Sequence, residues 1–374
     1  MTKLKVIFCT DGIFPNSIGG MQRHSRYLIE YLAKNDTIDL IVIHPHKEKI
    51  FPMYSTVHEF SVEGINPKKN YLLECYRYSK RVFKVINQYR NFIVYSQGLS
   101  VWYNIGLISD KIIINPHGLE PFQTITFMER IKAIPFQIIF KYLFNRSSYV
   151  VSLGGGLTNI LQNILAHHKD KVIVLPNGVK PSEGFKHRDF NGTKISLLFV
   201  ARFAQNKGIH ILIQAINELN SEGWENKLQF NLGGKGPLFE FYKTNYSLSN
   251  INYLGFVSDE QLIELYKNAD VFVFPTLFEG MPTVVLEAMS YGLPIIVSNV
   301  GATAELVDDS NGYLIEKNNV VELKKAIIDY YNASISEKEA FSRSSVLKVK
   351  ETYDWEIVSK RHVEVFKKLS LGNK

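Results

Sequence analysis

Short runs of β-branched and aromatic residues alternate with stretches of helical period from one end of the chain to the other. No other feature constrains the fold as much. Runs 5–10, 39–44, 92–96, 111–115, 149–153 and 171–175 read as buried strands, with helical period over 22–34 and 72–89. A second series starts at 195–201 and continues through 229–232, 251–253, 271–275 and 294–298. Strands that are near-continuous apolar runs, separated by helices, belong in parallel sheets covered on both faces. Between the two series, Gly178 to Gly192 is polar and carries Pro181, Gly184 and five charged residues, which reads as a linker. The expected fold is therefore α/β, with two Rossmann-like domains whose parallel sheets face an interdomain cleft. Residues 1–185 form the first domain and 186–353 the second, and ligands gather at the carboxyl ends of the strands. A length of 374 residues agrees, being more than one core usually fills. The amphipathic segment from 354 onward either caps its own domain or crosses to the first.

Composition excludes several classes. Two cysteines, Cys9 and Cys75, are too few for a disulfide framework, and their spacing has no metal signature. The first apolar run stops at Asp11-Gly12, too early for a signal peptide. Nowhere do about 18 apolar residues run together, as a membrane span would need. A cytoplasmic protein is expected. Its net charge of +7 is lopsided: residues 1–180 carry 22 Lys and Arg against 12 Asp and Glu, the remainder 21 against 24. A basic first half suggests an anionic partner there, such as a membrane surface, a nucleic acid or a phosphorylated acceptor.

The residues able to carry chemistry sit at strand ends. After the strand ending near Phe274 comes a turn, Glu279-Gly280-Met281-Pro282, and a helix expected to be capped by Thr283. A helix N-terminus offers unpaired N–H groups and the positive end of its dipole, which suits a diphosphate. Glu279 in the turn and Glu287 about one turn into the helix can each accept hydrogen bonds from hydroxyl groups. Solvated ends of an ordinary helix are the plainer reading. The strand ending at Ala201 runs into Arg202, with Lys207-Gly208 five residues on. Arg forks donors onto phosphate oxygens and Lys adds a mobile point charge, although such a pair is often only solvated.

Three glycine or histidine turns are weaker signals. Gly233-Gly234-Lys235-Gly236 follows a strand without the spacing of a Walker loop or of G-x-G-x-x-G, so a simple tight turn competes with ligand approach. Gly19-Gly20 opens the first helix. His117 follows the strand at 111–115 in a loop, a better place for function than an apolar helix face. Residues 122–144 mix aromatic and branched apolar side chains with Arg130, Lys132 and Lys141, fitting either an anionic membrane or a buried helix with a wet edge. No H-x-x-x-H, paired Cys or strand-end Asp-x-Asp suggests a metal, so the two cations are expected to meet the pyrophosphate unaided.

Taken in order, these pieces resemble glycosyltransferase family 4, of the GT-B fold. They are Gly19-Gly20, Pro116-His117-Gly118, Pro176-Asn177-Gly178-Val179, Ala201-Arg202 with Lys207-Gly208, Gly233 to Gly236, Leu254 to Val257 and the Glu279–Glu287 pair. The resemblance implies a retaining, metal-independent transferase with no cofactor, using a nucleotide-sugar donor and a glycan or lipid-linked acceptor. It implies that Arg202 and Lys207 bind the donor diphosphate, Glu279 the donor sugar and Glu287 the ribose. Gly280, Met281, Thr283 and Val284 would lie near sugar and phosphate, and Phe256 and Val257 against the base. Gly20 and Gly234 would approach the donor, and His117 the reacting sugar. It also implies that the final helix, 354–374, returns to the first domain; from its charge, the basic domain is expected to make peripheral contact with the inner face of the membrane at a lipid-linked acceptor. A nucleotide-sugar epimerase of the same fold is the competing enzyme reading, and a non-catalytic nucleotide-sugar-binding protein the competing non-enzyme one. A Rossmann dehydrogenase lacks its G-x-G-x-x-G, and no nucleic-acid motif accompanies the charge.

Overall fold

The computed structural model describes residues 3–124, 127–182, 192 and 194–372. The chain divides into two compact units, Met1–Asn177 with Trp355–Lys374, and Gly178–Asp354. The expected boundary at 185/186 and most of the expected linker, 183–191, lie outside the described residues.

The first unit runs β1 Leu4–Cys9, α1 Gly20–Ala33, β2 Ile38–His44, β3 Val57–Ser61, α2 Tyr71–Ile86, β4 Phe92–Gln97, β5 Ile112–Asn115, α3 Phe127–Arg146, β6 Tyr149–Ser152, α4 Gly156–Ile164 and β7 Val172–Val174. Its seven strands lie in the order β3-β2-β1-β4-β5-β6-β7, each pair parallel. The second unit runs β8 Ile195–Val200, α5 Ile209–Ser221, β9 Leu228–Gly233, α6 Phe239–Asn245, β10 Ile251–Gly255, α7 Asp259–Asn268, β11 Val271–Phe274, α8 Thr283–Ser290, β12 Ile295–Ser298, α9 Thr303–Leu306, β13 Gly312–Ile315, α10 Val320–Asn332 and α11 Ile335–Lys348. Its six parallel strands lie in the order β10-β9-β8-β11-β12-β13.

Central strands are apolar throughout because both faces are covered: Val6, Ile7 and Phe8 in β1, and Val271 to Phe274 in β11, are at most 1% exposed. The last helix, α12 Trp355–Gly372, belongs to the first unit, where Trp355, Val358, Val363, Phe366 and Leu369 join the core formed by β1, β2 and α1.

Each sheet has one place where the strand order reverses. From β1 the chain builds outward to β2 and β3, then returns to add β4 on the other side; β8 and β11 repeat this. At such a switch the loops leaving the two strands diverge and open a crevice at their carboxyl ends. Lys207 after β8 and Glu279 after β11 thus meet where topology alone puts a crevice, with Arg202 on the same loop as Lys207.

Candidate active site

In the second unit, backbone contacts hold two loops together. Asn206 offers its carbonyl to the Thr276 hydroxyl at 3.0 Å and to the Leu277 amide at 2.9 Å. Gly208 sits at φ +73°, and a Cβ there would stand 1.8 Å from the Pro275 carbonyl oxygen, so only glycine lets the loops meet. The adjacent Lys207 Nζ then donates to Glu279 Oε1 at 2.5 Å, with 26% of the lysine side chain and 13% of the carboxylate's exposed. From below, Gly301 supports the Glu279–Gly280 backbone: Ala302 donates its N–H to the Gly280 carbonyl at 2.8 Å, and a Cβ on Gly301 would stand 2.2 Å from the Glu279 carbonyl oxygen. Arg202 is exposed on the loop that leaves β8.

The turn after Glu279 leads into α8. Contrary to expectation, Thr283 does not cap it. Pro282 takes the cap position at φ −71° and ψ 116°, no side chain bonds to the free N–H groups, and Thr283 is the first helical residue. A proline ahead of the first turn already fixes the entry backbone, so the amides there remain available to a ligand. Met281 is buried, while Gly280, Thr283 and Val284 are partly exposed. Glu287 does not join Lys207; it accepts the Tyr266 hydroxyl of α7 at 3.1 Å. Phe256, 69% exposed, and Val257 line a groove of about 500 Å³ between the end of β10 and α7, along with Leu254, Gln261 and Leu265. Neither Glu279 nor Glu287 lines it. Gly234 donates its N–H to the Gly255 carbonyl at 2.7 Å and packs on the Ala201 backbone. Its glycine thus answers a close approach of protein to protein.

In the first unit, Gly20 is the first residue of α1, and a Cβ there would meet nothing within 4 Å. Packing leaves that position open. His117 follows β5 at φ +60°, a left-handed conformation uncommon for a side chain of this size. Its N–H donates to Asn115 Oδ1 at 2.9 Å and its Nε2 meets Gln97 Oε1, at the end of β4. Burial first, then the nearby His362 ring, hold the His117 pKa down to about 3, so the imidazole is neutral. His24 and His362 share the cluster and are likewise held neutral, by burial first. Asp11, just past β1, was missed in the sequence; burial raises its pKa to about 6, and its Oδ1 is buried without a partner. A lone Asp after a strand gives no signal of this kind. Gln97, Tyr266, Thr276 and Gly301 escape sequence reading for a different reason: each matters through a contact with a residue distant in sequence.

Among the described residues no three of His, Cys, Asp and Glu gather in a way that would hold a metal ion, and no helix is long and apolar enough to cross a membrane. Helix α3 is apolar on two sides. Ala133, Phe140, Leu143 and Phe144 are buried, while Phe127, Met128, Ile131, Ile134 and Ile138 are exposed, along with Arg130, Lys132, Lys141 and Arg146. Tyr71 of α2, also exposed, extends this surface through its ring contact with Phe136.

Residues 18–183 match the family model described as Glycosyltransferase Family 4, and residues 182–344 the model described as Glycosyl transferases group 1. An uncharacterized glycosyltransferase of Methanocaldococcus jannaschii is 27% identical over 342 residues, covering 89% of this chain and 90% of that protein. Among solved structures, sucrose-phosphate synthase of Thermosynechococcus elongatus superposes with a TM-score of 0.78 at 16% identity, covering 99% of this chain and 100% of that one. HepE of Anabaena, in complex with UDP and glucose, superposes with a TM-score of 0.70 at 15% identity, covering 98% and 100%. At such identities the structural likeness speaks for the fold.

Proposed function

The chain belongs to glycosyltransferase family 4 and is a glycosyltransferase of the GT-B fold; from that premise we propose that it moves a sugar from a UDP- or GDP-sugar, with retention and without a metal, onto a glycan or lipid-linked acceptor in cell-surface polysaccharide biosynthesis. The observation that carries this reading is the Lys207–Glu279 pair at the β8/β11 switch, beside the uncapped start of α8. On binding, the donor diphosphate draws Lys207 from Glu279, adds Arg202, and takes the free amides of α8. Glu279, released, accepts hydroxyls of the donor sugar, and Glu287 together with Tyr266 receives the ribose. Neutral His117 stands by the reacting sugar and orients it.

The bond from C1 of the sugar to the diphosphate oxygen breaks, leaving its electron pair on that oxygen. An acceptor hydroxyl bonds to C1 from the same face and passes its proton to a phosphate oxygen. Negative charge growing on the diphosphate meets Lys207, Arg202 and helix-end amides already in place, so little reorganisation is needed. For the acceptor side, α3 supports an anionic membrane. Its exposed Phe127, Ile131, Ile134 and Ile138 would enter the acyl boundary while Arg130, Lys132, Lys141 and Arg146 meet headgroups.

The test is a panel of UDP-, GDP- and ADP-sugars, first for thermal shift and then for transfer to lipid-linked acceptors, with and without chelator. Transfer that persists in chelator and fails in Lys207→Ala supports the reading. Loss of transfer on chelation refutes its metal-independent part, and a new sugar isomer from donor alone identifies an epimerase instead.

A further inference from the structure

The loop that presents His117 is joined to α12 by a chain of hydrogen bonds that all run in one direction. The His117 N–H donates to Asn115 Oδ1 at 2.9 Å; Asn115 Nδ2 donates to the Tyr95 hydroxyl at 3.0 Å. The Tyr95 hydroxyl lies 3.1 Å from His362 Nε2, and His362 Nδ1 lies 2.8 Å from the Val358 carbonyl oxygen. Tyr95, Asn115 and His362 are each 0% exposed, so no water can substitute for a missing partner.

The direction is set from the far end. A main-chain carbonyl can only accept, so the proton of the neutral imidazole sits on Nδ1 and Nε2 carries a lone pair. Tyr95 must then donate to Nε2, which leaves its oxygen free to accept only from the Asn115 amide nitrogen. That choice turns Asn115 Oδ1 toward the His117 N–H. Were His362 replaced by a donor, the sequence of donors and acceptors would reverse and Asn115 would present N–H to N–H at the residue already held at φ +60°.

We propose that His362 is a positioning residue: acting through Tyr95 and Asn115, it fixes the amide orientation that holds His117 in its left-handed turn, so that α12 sets the geometry of the catalytic loop. The catalytic half of this inference rests on the reading that His117 stands by the reacting sugar; the conformational half does not.

The test separates the two halves. His362→Phe keeps an aromatic ring but no acceptor, His362→Gln keeps an acceptor on a different skeleton, and Tyr95→Phe cuts the chain in the middle. Hydrogen exchange at the His117 amide and steady-state kinetics are read on all three and on His117→Ala. Exchange is expected to rise about tenfold or more in His362→Phe and Tyr95→Phe, with kcat lower by about tenfold and donor KM within about twofold, while His362→Gln stays near the parent. The double variant Tyr95→Phe/His362→Phe is expected to be no worse than either single one. A merely packing role for residue 362 gives the opposite order, Phe tolerated and Gln harmful, and that order overturns the proposal, as does unchanged exchange in Tyr95→Phe. Full turnover in His117→Ala overturns instead the assignment of His117 to the reacting sugar, while the exchange data still decide the positioning.

Discussion

Glu279→Gln is expected to move nucleotide affinity and turnover in opposite directions. Lys207 Nζ gives a charged hydrogen bond to Glu279 at 2.5 Å, so on the proposed reading an arriving diphosphate must displace a carboxylate. Hydrogen bonds to charged groups contribute about 1.5–3 kcal/mol when shielded. With 26% of the Lys207 side chain exposed, solvent weakens the competing pair to about 1 kcal/mol. Neutralising the carboxylate should therefore tighten UDP or GDP about fivefold in a calorimetric titration. Turnover should fall by about a hundredfold, because a neutral amide accepts more weakly from the sugar hydroxyls and no longer offsets the positive charge that develops at C1. The gain must also disappear when Lys207 is already methionine, since no competition is left to relieve. Unchanged or weaker nucleotide binding in Glu279→Gln, with Lys207 intact, would refute the exchange of partners and leave the ion pair as a brace between two loops.

Arg202→Ala and Lys207→Ala should each weaken donor binding by about 1–3 kcal/mol, measured as a rise in KM or in the Kd for nucleoside diphosphate. Ile134→Glu with Ile138→Glu should release the protein from anionic liposomes at low salt while leaving turnover on a soluble acceptor intact; equal binding by the variant would remove α3 from the membrane reading. Stability should fall in acid. His117, at about 3, and His362, at about 4, are neutral when folded and ordinary when unfolded, so the unfolded chain binds more protons below pH 6.5, and each costs about 2 kcal/mol by pH 5. Asp11, raised to about 6, opposes this by about 1 kcal/mol over the same window, since its protonated form favours the fold. Denaturant melts at pH 7.5 and pH 5 that coincide would show the histidines to be solvated.

The architecture was legible because it is written at the scale of the backbone. Fully covered strands such as β1, β4 and β11 must be apolar at every position, and they stand out. The strands not foreseen, β3 and β13, are the outermost of their sheets at one edge. β3 reads Val-His-Glu-Phe-Ser, and β13 opens with a glycine behind Asp308 to Asn311. An edge strand has fewer neighbours to cover it and loses the apolar signature. The same logic governs the site. Arg202, Lys207 and Glu279 were readable because each follows an apolar strand directly. Gly301 under Glu279, or His362 behind His117, carries no local pattern; its meaning lies in one contact across the fold.

That division separates what topology places from what particular residues do. Parallel β/α topology places the loops after β8 and β11 side by side whatever residues fill them, so the crevice needs no specific side chain to exist. Specific residues then act on charge and orientation alone. Lys207 is paired with Glu279, so a half-buried cation is not left without a counter-charge. Pro282 opens α8 without covering its amides. On the proposed reading, both devices keep cation and amides accessible to a diphosphate. On that reading, a diphosphate would only have to take the place of the Glu279 carboxylate at Lys207, and the released Glu279 would become available to the sugar in the same step.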